Sequence, residues 1–133
     1  MNWDINVAAG LVAGVAAMIP GAIIYAPSVL GNAWMKEINH KPGQGGSPTA
    51  AVTKMFVTSL INGLVASLIV FSAGANSFAD AVRLTLLAVG WFWVSSSLML
   101  VFFEGRSWKW FRISITSHIF TAAVIGIVLG LFV

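Results

Sequence analysis

Few side chains in this sequence can do chemistry, and most of them stand inside apolar runs. His118 is the sharpest. An imidazole can carry a proton, bind a metal or exchange hydrogen bonds, and this one follows Arg112 by six residues in a run otherwise free of charge. Tyr25 lies between the helix breakers Pro20 and Pro27, Asn62 lies eight residues past Lys54, and Ser95, Ser96 and Ser97 precede Glu104. Glu104 and Arg106 bracket Gly105. An acid, a clamp and a base could be drawn from Glu104, Arg106 and His118. No nucleophile or metal motif accompanies them, so an enzyme is not expected. The chain has no cysteine and His40 is its only other histidine, so neither a metal site nor a cofactor is expected.

The elements that must position these groups follow from composition. Of 133 residues, 59% are hydrophobic and 8% are charged, where a soluble domain averages about 25% charged. Lipid is the solvent that such a chain fits. The net charge of +3 rests on seven Lys and Arg and reads as loop charge facing anionic lipid, with no nucleic-acid partner. The N-terminal residues lack the basic flank of a signal peptide, so the first apolar run is expected to stay as an anchor.

Charge-free runs predict an all-α fold: a four-helix transmembrane bundle in one membrane domain, with spans over about residues 5–26, 55–72, 84–103 and 113–133. Asn2 or Asp4 is expected to cap the first helix. Ser47-Pro48 has the pattern of an N-cap with proline at the first helical position, and Ser77 and Asp80 have capping-box spacing. Gly105 predicts a tight turn that makes the third and fourth spans antiparallel neighbours.

Lys36, Lys41 and Lys54 flank the first loop, and Arg106, Lys109 and Arg112 follow the third span, whereas the second loop has only Arg83 beside Asp80. The positive-inside rule then makes both termini external and places the chain in the cell (inner) membrane as a multi-pass protein. Trp34, Trp108 and Trp110 fit a cytoplasmic aromatic belt and Trp3 an outer one. Between Pro27 and Ile38, Val29, Leu30, Ala33 and Trp34 recur at helical spacing, which predicts a short interfacial helix; an ordinary turn is the alternative.

Small residues mark helix contacts in lipid. They form rows at Ala9, Ala13, Ala17 and Gly21 beside Gly10 and Gly14, at Ser59, Gly63 and Ser67, and at Ser114, His118, Ala122, Gly126 and Gly130. The rows through Ala13, Ala17, Gly21, Gly126 and Gly130 could serve the fold, or a contact with itself or another membrane protein. Leu129 is off its row and is expected to face lipid. By depth, Tyr25, Asn62, Ser96 and His118 fall in the cytoplasmic half of the bilayer: Asn62 about 12 Å and His118 about 9 Å from the nearest preceding charge at 1.5 Å per residue. They either make interhelical hydrogen bonds or line a polar pocket with His118 at its floor and Glu104 and Arg106 at its rim. Trp91 and Trp93 sit deep in the third span, where an indole N–H needs a partner; packing against small rows is the expected explanation, and contact with a bound pigment, quinone or sterol-like molecule is the alternative.

Two stretches carry a family resemblance. Asn2-Trp3 is followed by a small-residue helix ending Tyr25-Ala26-Pro27-Ser28-Val29-Leu30-Gly31-Asn32-Ala33-Trp34-Met35-Lys36. Phe102-Phe103-Glu104-Gly105-Arg106 is followed twelve residues on by His118. Over nearly its whole length the chain resembles the small membrane proteins grouped as domain of unknown function 1761, with Ala26 and Leu30 where the family usually has serine and an aromatic. The resemblance implies a bacterial four-helix membrane protein and no particular activity. Two roles fit best: an accessory component packing into a homo-oligomer or a larger complex, or a binder or carrier of a small amphiphile such as a lipid or quinone.

Overall fold

The computed structural model describes residues 3–41, 43–44 and 46–133, all of whose regular structure is helical. Four helical stretches are long and apolar enough to cross a membrane: Val7–Ile24, Pro48–Ser72, Phe78–Glu104 and Trp108–Gly130. The first consists of α1 (Val7–Ala16) and α2 (Met18–Ile24), broken at Ala17. Pro20 lies three residues after the break and has no N–H for the Ala16 carbonyl, which is cause enough for a kink. The cap of α1 is neither expected residue. Asn6 accepts from the Ala9 amide at 3.0 Å, whereas Asp4 precedes the helix and Asn2 lies outside the described residues, as do Pro42 and Gly45 of the first loop.

A π-turn (Pro27–Gly31) leads into α3 (Asn32–Glu37), where the interfacial helix is expected. The turn requires glycine at position 31, because a Cβ there would overlap the Tyr25 carbonyl. The second span is α4 (Pro48–Ser72), capped by Ser47, which accepts from the Ala50 amide. The third span starts as α5 (Phe78–Thr85), passes a second π-turn (Leu86–Gly90) and continues as α6 (Trp91–Glu104). Its cap, Ser77, accepts from the Asp80 amide and donates to the Asp80 carboxylate. Gly105 takes the left-handed conformation at φ 67°, and the Arg106 amide donates to the Leu100 carbonyl, so the chain reverses directly into α7 (Trp108–Gly130). The last three spans begin ahead of the charge-free runs because helices start at their caps, one to two turns before the last charged side chain.

Packing is uneven along the bundle. At the end that holds the start of α1, the end of α7 and the second loop, α1, the C-terminal half of α4, α5 and the C-terminal half of α7 meet around Ala9, Ala13, Ala66, Val70, Ala81, Ile125 and Leu129. Ser67 accepts from the Asn6 amide and donates to the Asn6 carbonyl, tying α4 to the start of α1. Glycines set the separations. A Cβ at Gly14 would come within 2.7 Å of Leu60, one at Gly63 would fall on the Gly10 carbonyl, and one at Gly126 would approach Val82 to 2.9 Å. These stretches of the rows therefore pack within the chain, whereas Gly21, at the end of the first row, meets nothing. Leu129 is fully buried among them and does not face outward as expected, because it lies two turns after Ala122 and one turn after Gly126, on the same face of α7.

Toward the other end the helices part. Past the break at Ala17, α2 leans on α7 and only touches α4. Past the second π-turn, α6 stays against α7 without extensive contact to α4. The wedge left between α2, α4 and α6 is floored by α7.

Candidate functional site

The wedge is a cavity of about 600 Å³. Its walls are mostly apolar: Ala17, Met18, Gly21 and Ala22 from the first span, Ala51, Val52 and Met55 from α4. Its polar lining comes from Tyr25, Thr58, Ser59, Asn62, Trp93, Ser117, His118 and Thr121. The break at Ala17 and the turn at Pro27 bring Tyr25 over the cavity. Asn62 faces it because it lies on the stripe of α4 shared with Met55, Thr58 and Ser59, at one-turn intervals. The second π-turn sets the register of α6 so that Trp93 meets His118, with ring centroids 5.3 Å apart and planes inclined at 42°.

Three of the four residues singled out by depth, Tyr25, Asn62 and His118, therefore border one cavity. Ser96 does not. Its hydroxyl donates to the Phe92 carbonyl one turn back on its own helix, and Ser97 is the buried member of the triplet. Nor do Glu104 and Arg106 form the rim. They pair with each other at 3.6 Å across the turn, and the Arg106 guanidinium lies 5.8 Å from the centre of the Trp110 ring. Trp110 is buried beneath it rather than standing in an aromatic belt. Trp91 points outward from α6 and only Trp93 packs inward.

Sequence reasoning missed Trp93, Ser117 and Thr121 as neighbours of His118. Ser117 and Thr121 flank it on α7 and could be found by helical spacing alone, while Trp93 depends on the π-turn, for which Leu86–Gly90 carries no clear sequence signal. Hydrogen bonding separates the polar lining into two kinds. The Ser59 hydroxyl donates to the Gly14 carbonyl at 2.7 Å and Thr58 to the Lys54 carbonyl at 2.9 Å, so both are committed within the helices. No such bond ties down Tyr25, Asn62, Trp93 or His118 among the described residues, and no wholly buried side-chain N or O lacks a partner. Their polar groups are left to the space they line. No set of three metal-ligating side chains occurs among the described residues.

At the basic end, α3 is fastened to the start of α7. Tyr25 meets Trp34 edge to face with centroids 5.3 Å apart. Glu37 accepts a hydrogen bond from Ser107, the N-cap of α7, and lies 3.4 Å from the Lys109 ammonium. These contacts hold the Glu37 carboxyl below its usual range: the Ser107 hydrogen bond is the largest cause, desolvation opposes it, and Lys109 and then Lys36 lower it further.

The fold and this cavity define a small all-α membrane protein with an internal amphipathic cleft. The chain belongs to the family described as protein of unknown function (DUF1761), which matches residues 8–130. No curated protein and no solved structure matches it.

Proposed function

We propose that this protein binds, and in a membrane could pass on, a small amphiphile held in the cleft between α2, α4 and α6. The observation that carries the reading is the juxtaposition of Tyr25, Asn62, Trp93 and His118, from three spans and the helix end before the first loop, on one cavity with apolar walls. Its volume falls in the roughly 300–1,000 Å³ of ordinary ligand sites. Unpaired polar groups inside a membrane-spanning bundle are costly, each by several kcal/mol in order of magnitude, unless something supplies their hydrogen bonds. The cluster at the loop end with six of the seven basic residues supports a cleft on the cytoplasmic side of a cell membrane, with both termini outside.

Gly21 offers a direct test. It lines the cleft, and a Cβ there would meet nothing within 4 Å, so Gly21→Phe should fill the cavity without disturbing a helix contact. Lipid extracts of the purified wild-type protein should contain a species that is depleted in the Gly21→Phe protein. Identical extracts from the two would remove the cleft as a binding site. An accessory role in a larger assembly would use the outward apolar face of α6, where Trp91, Phe92, Met99 and Phe103 are exposed; of the row glycines, Gly10, Gly14, Gly63, Gly126 and Gly130 already meet neighbours within the chain and Gly21 does not.

A further inference from the structure

We infer that the cleft selects an uncharged amphiphile whose head group presents acceptor oxygens, as a quinone or a neutral glyceride does, over an anionic phospholipid. The inference rests on the amphiphile-binding reading and names the ligand class of that same site.

Two features of the lining carry it. The first is charge. Among the described residues, no Asp, Glu, Lys or Arg lines the cleft. A charged head group withdrawn from water needs a counter-charge or a full set of hydrogen bonds. The basic residues at this end are either paired, as Arg106 is with Glu104 and Lys109 with Glu37, or absent from the lining, as Lys36, Lys41, Lys54 and Arg112 are. A phosphodiester drawn in beside His118 would therefore be left without a fixed cation.

The second is the balance of donors and acceptors. The Trp93 indole is a donor only, the Tyr25 phenol and the His118 imidazole each have one hydrogen to give, and the Asn62 amide has two. None is committed elsewhere among the described residues. A head group with carbonyl or ester oxygens can satisfy several of them at once, whereas a donor-only head group would leave the indole N–H unpaired. The Trp93 and His118 rings, 5.3 Å apart, add a flat apolar surface beside those donors. Met18 and Met55 on the walls are unbranched and can adapt to a hydrocarbon tail.

The test uses the full chain in detergent with three water-dispersible probes: decyl-ubiquinone, dioctanoylglycerol and dioctanoyl-phosphatidylglycerol. Binding is read by native mass spectrometry and by a titration of each probe. At least one neutral probe should bind about tenfold or more tighter than the phosphatidylglycerol, the factor that a difference of one good hydrogen bond or charge mismatch gives. Asn62→Leu and His118→Leu should each weaken that probe by a similar factor. Tyr25→Phe, which removes a single hydroxyl, serves if either of those fails to fold. Gly21→Phe should block every probe. If phosphatidylglycerol binds as tightly or tighter and Gly21→Phe still blocks it, the inference fails and the amphiphile reading stands. A neutral preference that is indifferent to Asn62, His118 and Tyr25 also overturns the inference. If no probe binds, or Gly21→Phe changes nothing, the amphiphile reading itself falls and takes the inference with it.

Discussion

Glycines of the same apparent kind have opposite roles here, and the difference is measurable. Gly63 faces the Gly10 carbonyl and the Gly14 backbone across the α1–α4 contact, so any side chain must force the helices apart. Gly21 continues the row of Ala13 and Ala17 but looks into the cleft. Gly63→Leu should therefore destabilise the protein by about 1–3 kcal/mol or prevent folding, as overpacking does, while Gly21→Leu should leave thermal stability in detergent nearly unchanged. Equal melting temperatures for the two variants would overturn this assignment. Leu129 supplies a second contrast. It is wholly buried, whereas Ile127, two residues away, is 45% exposed. Leu129→Ala should lower the melting temperature through lost packing, and Ile127→Ala should not. At this scale the sequence was only partly legible. Spacing identified the close-packed rows and placed Tyr25, Asn62 and His118 at similar depth. It could not choose among three consecutive serines, which spread over much of a helix circumference, while the burial of Leu129 was legible in its spacing of seven from Ala122 and three from Gly126.

Elements other than the four spans carry the geometry of the cleft. Two interruptions, at Ala17 and at Leu86–Gly90, let the first and third spans leave the close-packed axis, and only the first has a visible sequence cause, Pro20. The short helix α3 is the other such element. It is legible as an amphipathic stretch, yet its fastening to α7 through Glu37 is not, because residues 37 and 107 are far apart in sequence. Docking lowers the Glu37 pKa. A group whose pKa falls on docking stabilises the docked form above its ordinary pKa, and that contribution is lost as the pH falls through the lowered value. Glu37 is solvent-accessible, so the effect is modest and weakens with salt. Hydrogen exchange over Asn32–Ile38 should therefore be slow at neutral pH and, after correction for intrinsic rates, faster at acid pH. Glu37→Gln should exchange faster already at neutral pH and lose the pH response. Unchanged protection of Glu37→Gln at neutral pH would show that Tyr25–Trp34 packing alone holds the helix, and a pH response that persists in it would assign the effect to another group.

For the whole molecule, the four-span count, the adjacency of the last two spans and the use of small rows as contacts were all legible, because lipid imposes length and close approach on any helical solution. The closed and open ends were not legible, since both are built from equally apolar helices and differ only in where those helices bend. The orientation of that asymmetry determines which compartment the cleft serves. The charge pattern predicts the open end, with Lys36, Lys41, Lys54, Lys109 and Arg112, to be cytoplasmic, and the second loop around Gly74 to be external. The absence of native cysteine makes this simple to test. His40 is exposed on the first loop, and Gly74 is exposed on the second with open space at its Cβ, although its φ of 73° strains any side chain placed there. A cysteine introduced by Gly74→Cys should react with a membrane-impermeant maleimide in intact cells whose outer barrier is permeable to the reagent. One introduced by His40→Cys should react only after the inner membrane is opened. A reporter fused after Val133 should be active only outside the cytoplasm. The reverse labelling pattern would turn the cleft to the external face and place six basic residues against the positive-inside rule. Labelling of both cysteines in intact cells would mean that the chain inserts in two orientations, with the cleft then open to both sides of the membrane across a mixed population.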